Sequence, residues 1–356
     1  MSKPLFVAFS DPHVGRVWGT HAVPLTREAL TDRYFDPIIE LNKVYPNVPK
    51  VCAGDWFDRA HNSERIIQRS LPLLEEIRLI IAGNHDHAGR ESAVTSMQLL
   101  AGLLEDQANI TIAEDHLNAF GLTWSNIGGV GIYSIPHCGT QALFEEACYK
   151  AASTARAETG HKVLMVHANV GNVGGGKPDS CLYLTPQIQQ GIEDAFDFII
   201  TGHEHMPSKN GKLIVLGSTQ PCGFGELGTR FFWEFHEDED GALYVKKVPI
   251  SSQLSFANYD VATLLADPTM AVSYAELVDL QGTLPISQSR NVQRLVKTFF
   301  EMGTKAVRMD VKFEAGAAET GDEVQGSMKN LVDVVRAEIG ENKAWLGLLD
   351  EALSHD

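Results

Sequence analysis

The stretch Phe196-Asp197-Phe198-Ile199-Ile200-Thr201-Gly202-His203-Glu204-His205-Met206-Pro207 sets a short apolar, β-branched run directly against a glycine and two histidines in alternate positions. Such a run, bounded by turn-forming residues, reads as a buried strand. Polar residues at its carboxyl end stand where open α/β sheets place their ligands. The same construction recurs along the chain. Residues 5–9 lead into Ser10-Asp11-Pro12-His13-Val14-Gly15, residues 48–53 into Gly54-Asp55-Trp56-Phe57-Asp58-Arg59, and residues 79–82 into Gly83-Asn84-His85-Asp86. Residues 162–166 lead into His167-Ala168-Asn169, and residues 213–216 into Gly217-Ser218-Thr219-Gln220-Pro221. Between these runs, residues 36–44, 63–74, 92–104 and 142–159 carry apolar side chains at helical spacing. Alternation of this kind predicts a layered α/β architecture.

The composition agrees with a folded chain and excludes several function classes. With 356 residues, 44% hydrophobic and 21% charged, the sequence has length for two or three domains and is far from the profile of a disordered or fibrous protein. Its 29 Lys and Arg stand against 46 Asp and Glu, a formal net charge of −17, which leaves no global basic face for nucleic acid or anionic lipid. A phosphate-rich substrate is therefore expected to be held locally, by metal ions or a few placed cations. No apolar run approaches the roughly 18 residues of a membrane span, and residues 5–9 are too few for a signal-peptide core. Cys52, Cys138, Cys148, Cys181 and Cys222 are scattered, without a Cys-x-x-Cys pair, so neither a disulfide framework nor a zinc ribbon is expected. These features predict a soluble protein of the reducing cytoplasm, whose cysteines are core or near-surface thiols without a reactive role.

Near residue 250 the polar clusters stop. Residues 273–280 then read as a strand, 288–302 as an amphipathic helix and 306–313 as another strand, a small separate α/β unit. Residues 314–326, rich in Ala, Gly and acid, read as a linker. Beyond it, Met328, Leu331, Val335 and Ile339, then Trp345, Leu348, Leu349 and Ala352, repeat at helical spacing. The expected division is 1–250, 251–315 and 316–356.

The polar clusters together offer Asp11, His13, Asp55, Asn84, His167, His203 and His205 as oxygen and imidazole ligands. These are too many for one tetrahedral zinc and suit two ions that share a carboxylate. One site would take Asp11, His13, Asp55 and His205; the other would take Asp55, Asn84, His167 and His203. In Asp-x-His and His-x-His, alternate residues of an extended segment project to one side and can reach one ion. Mixed nitrogen and oxygen donors suit manganese, iron or zinc. Each motif alone is ordinary turn chemistry; their ordered recurrence after apolar runs is the signal.

The ordered set Asp-x-His, Gly-Asp-x-x-Asp, Gly-Asn-His-Asp, His and Gly-His-x-His resembles the calcineurin-like metallophosphoesterase superfamily, over residues 5–236. Within it, Gly54 to Asp58, Asp197 to Pro207, and Gly217-Ser218 followed by Gly225-Glu226 resemble the SbcD-type DNA repair and recombination nucleases. The short, acidic form also resembles compact recombination nuclease subunits encoded by some phages. The resemblance implies a β-sandwich flanked by helices, with the small α/β unit as a DNA-capping domain and the helical tail as a partner-binding segment. It further implies two manganese ions, a homodimer, DNA as substrate and a coiled-coil ABC-type ATPase partner of the SbcC kind. His85 is then placed to protonate or stabilise the leaving oxygen, with Asp86 either orienting its ring or stabilising the turn. Asp58 is expected to support the metal loop rather than bind metal. Arg16, Arg59, Arg65, Arg90, Lys177 and Lys209 lie near motif loops and could form a phosphate-binding rim or simply be solvated.

His21, His61, His116, His137 and His161 lack metal-like partners in sequence and read as surface or loop residues. Gly174 to Gly176 lacks the Lys-Ser/Thr of a nucleotide-binding loop and reads as a loop after His167. Two alternatives stay open: a phosphodiesterase or phosphatase acting on cyclic or dinucleotide substrates, and an inactive scaffold that organises an ATPase. A protein phosphatase fits less well, because Arg59 is followed by Ala60 and His85 by Asp86.

Overall fold

Strand periodicity sends alternate side chains to opposite faces, and here both faces are covered. In the strand Phe6–Phe9, Phe6 and Ala8 enter one core while Val7 and Phe9 enter another. In Lys162–His167, Val163 and Met165 join the first of these cores, and Leu164 and Val166 a third. The computed structural model describes residues 3–17, 22–24, 27–87, 94–104, 109–111, 122–171, 181–226, 228–268 and 275–314. Arg90, Lys177, Gly174 to Gly176, His21, His116 and the expected linker and tail beyond 314 lie outside the described residues.

The chain forms two units. One comprises Met1–Val17, Leu25–Phe256 and Ala275–Leu277, the other Trp18–Pro24, Ala257–Tyr274 and Val278–Asp356. The first contains two six-stranded sheets of matching construction. One runs Leu243–Pro249, Phe231–Glu237, Phe6–Phe9, Lys50–Cys52, Leu79–Ile81 and Asn109–Thr111. The other runs Ser208–Asn210, Leu213–Val215, Phe198–Gly202, Lys162–His167, Val130–Ile135 and Thr123–Ile127. In each, four adjacent strands are parallel; antiparallel strands close both edges of the second sheet, whereas in the first both antiparallel pairings lie on one side and the parallel strand Asn109–Thr111 forms the other edge. Phe6, Val51, Leu79, Ile132, Met165, Ile200 and Trp233 fill the space between the sheets.

Helices cover the outer faces. Asp36–Val44, Glu64–Leu74 and Ser96–Leu103 place Ile38, Leu41, Ile66, Leu74, Met97 and Leu100 against Val7, Phe9 and Ile80. On the second sheet, Gln141–Ala157 lays down Phe144 together with Ala147, Ala151 and Ala155, whose small side chains let the helix lie close. The helix starts are written in the sequence: Thr95 and Gln98 form a reciprocal capping box, and Thr140 and Thr185 each accept a backbone N–H three residues on. The result is the expected layered β-sandwich flanked by helices.

The second unit has a four-stranded sheet ordered Phe256–Asp260, Leu277–Pro285, Ala306–Glu314 and Ala22–Pro24. Helices Val261–Ala266 and Ser289–Glu301 contribute Val261, Leu265, Val292 and Leu295 to a small core of their own. Arg308 is paired with the buried Asp279 across that sheet. No helix among the described residues is long and apolar enough to cross a membrane.

Candidate metal centre

The loops that follow the strands are zipped together by backbone hydrogen bonds. Asp11 N–H donates to Gly54 O at 3.0 Å, His13 N–H to Asp55 O at 3.1 Å and Val14 N–H to Trp56 O at 2.9 Å. Ser10 bridges to Ser218, which joins the loop ends of the two sheets. Two glycines permit this closeness. A Cβ on Gly54 would stand 2.3 Å from His167 Nδ1, and one on Gly83 would stand 2.1 Å from Asp55 Oδ1. Gly-Asp and Gly-Asn therefore reflect space beside the ligands as much as turn geometry.

All seven sequence-predicted ligands converge at this loop cluster. Among the described residues, His13, Asp55 and His85 bring donor atoms within 4.8 Å of one another, as do Asp55, His167 and His203, and His13, His205 and Cys222. Asp11 accepts His203 N–H with both carboxylate oxygens at 3.0 Å. Asn84 Oδ1 lies 3.0 Å from His167 Nε2 and 2.8 Å from His203 Nδ1.

The hydrogen bonds show which ring nitrogens carry protons. A carbonyl accepts only, so His167 Nδ1–H donates to Ala53 O at 2.8 Å. The neutral ring then turns a bare Nε2 toward Asn84 Oδ1 at 3.0 Å and Asp55 Oδ2 at 3.3 Å. Lone pairs aimed at one another are relieved by a cation among them or, without one, by a second proton on the ring. Burial opposes a second proton on His167, but the Asp55 carboxylate outweighs it and pushes the imidazole pKa up to about 9. The same pairing holds Asp55 far below the carboxylate range against its burial. On the other side, His205 Nδ1–H donates to Glu226 Oε1 at 2.7 Å, and its bare Nε2 faces His13 Nε2 at 3.1 Å. The donor chemistry fits two divalent cations sharing Asp55.

Backbone strain marks the same residues. Asp11, His13, Asp55 and His203 have φ of 51°, 43°, 50° and 82°, and Asn47 is the fifth non-glycine residue with positive φ among those described. Such conformations cost on the order of 1–3 kcal/mol each and persist where the surroundings impose them.

The neighbours divide differently from the sequence expectation. His85 Nδ1–H donates to Asp58 O at 2.8 Å, so a backbone carbonyl rather than Asp86 holds that ring. The Asp86 carboxylate instead accepts N–H from Gly83 at 2.9 Å, Phe57 at 3.0 Å and Trp56 at 3.3 Å, the turn-stabilising option. Burial, then the nearby Asp55 charge, pushes its pKa up to about 7. Asp58 accepts from Arg16 at 2.6 Å and stands 3.5 Å from His13 Nδ1. Arg16 also donates to Cys222 O and is thus a loop tie rather than a rim cation. Arg65 is engaged by Asp32 at 2.8 Å, while Arg59 is largely exposed. These two arginines, with Gly15, His61, Asn62 and Ser63, line a cavity of about 280 Å³. Lys209 sits on an exposed edge strand over the Phe198 ring.

Three residues at the site lie outside the sequence-predicted set. Glu226 holds His205, and Cys222 joins His13 and His205. His137, read as a surface or loop residue, is buried beside His87; desolvation and the charge of His167 lower its pKa to about 3. Its place just past the strand Val130–Ile135 is the signal that could have found it.

The family model for calcineurin-like phosphoesterases matches residues 4–207, from the first strand through the Gly-His-x-His loop. That family hydrolyses phosphoesters with two bound metal ions, which agrees with the His and Asp clusters of this site. Matched over more than half its length, with its strand-end side chains gathered at one polar centre, the chain belongs to the calcineurin-like phosphoesterase family.

Proposed function

We propose that this phosphoesterase is a DNA nuclease, exonucleolytic and endonucleolytic on single strands, that works in DNA repair or recombination with a coiled-coil ABC-type ATPase. The observation that carries the reading is the second α/β unit, with its own sheet and core, which hydrolysis of a small ester does not require. The motif resemblance at Gly54 to Asp58, Asp197 to Pro207 and Gly225-Glu226 points the same way. So does the arginine-lined cavity beside the motif loops, a local cationic feature on a chain of net charge −17.

Asp11, His13, Asp55 and His205 would hold one ion, and Asp55, Asn84, His167 and His203 the other, with Mn²⁺ the ion we assign. Bound cations of this class supply a nucleophile at neutral pH and offset charge on the phosphoryl oxygens. The chain's own groups do the rest. Ala53 O and Glu226 fix the tautomers of His167 and His205, so that Nε2 of each is the free donor. Asp58 O keeps the proton on Nδ1 of His85. In its imidazolium form His85 gives the Nε2 proton to the leaving oxygen.

The test is digestion in Mn²⁺ of single-stranded DNA, double-stranded ends and cyclic nucleotides side by side. Nucleolytic products from DNA, with cyclic nucleotides turned over at least tenfold more slowly, are expected. The reverse order would make the protein a small-molecule phosphodiesterase, and metal-loaded protein inert on all three would make it a scaffold.

A further inference from the structure

Cys222 differs from the other buried cysteines in what surrounds it. Cys52 packs into the core beneath the first sheet, and Cys138 and Cys148 into that beneath the second. The Cys222 sulfur lies instead with nitrogens of His13 and His205, all within 4.8 Å of one another. Its backbone is clamped on both sides. Its N–H donates to Glu226 Oε2 at 2.8 Å, and the other oxygen of that carboxylate holds His205 Nδ1 at 2.7 Å. Its carbonyl accepts from Arg16, whose guanidinium also holds Asp58 at 2.6 Å, beside His13. The groups that position the cysteine are thus the groups that position the two imidazoles. The Nε2 of His205 faces His13 Nε2 at 3.1 Å, a contact that one shared proton satisfies and that a cation held by both rings would replace.

We propose that Cys222 is a thiolate ligand of the metal site built around His13 and His205, and that it raises the site's affinity for thiophilic divalent ions such as Co²⁺, Zn²⁺ and Cd²⁺, relative to Mn²⁺, above what its carboxylates and imidazoles alone would give. Sulfur added to a site of carboxylates and imidazoles makes the donor set softer, and soft ligands favour such ions. On binding, the ion replaces the thiol proton, which leaves to solvent; the Sγ–H bond breaks, a metal–sulfur bond forms, and no oxidation state changes. The thiol gives up its 3.6 Å hydrogen bond to Gln220 O. The inference rests on the metal-centre reading above.

Titration of the full chain with Co²⁺, followed by absorption, tests it without reference to activity. The wild type is expected to show ligand-field bands in the visible together with a near-ultraviolet sulfur-to-cobalt charge-transfer band. Cys222→Ser should keep the former and lose the latter, and its preference for Cd²⁺ over Mn²⁺ in competition should fall at least tenfold. Should Cys222→Ser fail to fold, single serine substitutions at Cys52, Cys138, Cys148 and Cys181 decide: a band that survives all four belongs to Cys222, and a band lost in any one overturns the proposal. Ligand-field bands without a sulfur band in the wild type, or a sulfur band that persists in Cys222→Ser, overturn the role of Cys222 alone. Absence of Co²⁺ binding overturns the metal-centre reading together with it.

Discussion

Asp55 and His85 touch through the His85 N–H, which donates to Asp55 Oδ1 at 2.8 Å, yet their substitutions are expected to have opposite signatures. Asp55 belongs to two of the donor sets, so Asp55→Asn removes a shared anion from both. Metal content and turnover should fall together; full dimetal occupancy with unchanged turnover would refute the bridging role. In His85→Ala the backbone bond to Asp55 and the other donors remain. Metal content should hold while kcat drops about 10²-fold or more, because the loss falls on the transition state. Parallel loss of metal, measured by elemental analysis, would make His85 a ligand.

At the scale of elements, the helix Asp36–Val44 is tied to the chain after the last strand of the first sheet by one carboxylate. Glu40 accepts from Ser251 N–H at 3.0 Å, Ser251 Oγ–H at 2.8 Å and Ser252 N–H at 2.7 Å. Burial raises its pKa, but the serine hydrogen bonds outweigh this and hold it below the ordinary 4.5. A depressed folded pKa contributes stability that is fully present above the unfolded value and is lost as pH falls through the folded one. Glu40→Gln should therefore lower stability by about 1 kcal/mol or less at pH 7, given its partial exposure. The deficit in urea denaturation should shrink as pH falls below 4.5. A deficit that stays constant from pH 7 to pH 3 would show that the charge is irrelevant.

For the whole molecule, the proposed ATPase partnership predicts a separable function. The family match ends at residue 207 and the site's described side chains end at Arg230, so every described residue of the centre precedes Glu319. A chain ending near Glu319 should keep its metals and basal nuclease activity but lose co-purification with the ATPase and ATP-stimulated cleavage. Full-strength ATPase binding by the shortened chain would remove the tail from that role. The −17 charge adds a constraint at this scale, since the proposed DNA substrate would have to be met by local cations such as Arg59 rather than by the general field.

The layered fold and the convergence of the seven polar side chains are legible in the sequence because both arise from local patterns. Strands buried on both faces read as unbroken apolar runs, and parallel strands deliver the residues after them to one edge of the sheet. The hairpin Thr123–Ile127 to Val130–Ile135 is absent from the predicted runs, although Gly128 and Gly129, both at positive φ, announce its turn. With that strand goes His137, which the same strand-end rule would have placed. Tertiary structure alone decided the partners. That Glu226 holds His205, that Asp58 O rather than Asp86 holds His85, that Arg16 ties Asp58 to Cys222, and that one cysteine among five adjoins the histidines depend on how loops from two sheets meet. His13 and His205 are 192 residues apart and 3.1 Å distant at their ring nitrogens. Periodicity specifies which face of an element is buried; which side chain stands across from another is specified only by the packing that joins the faces.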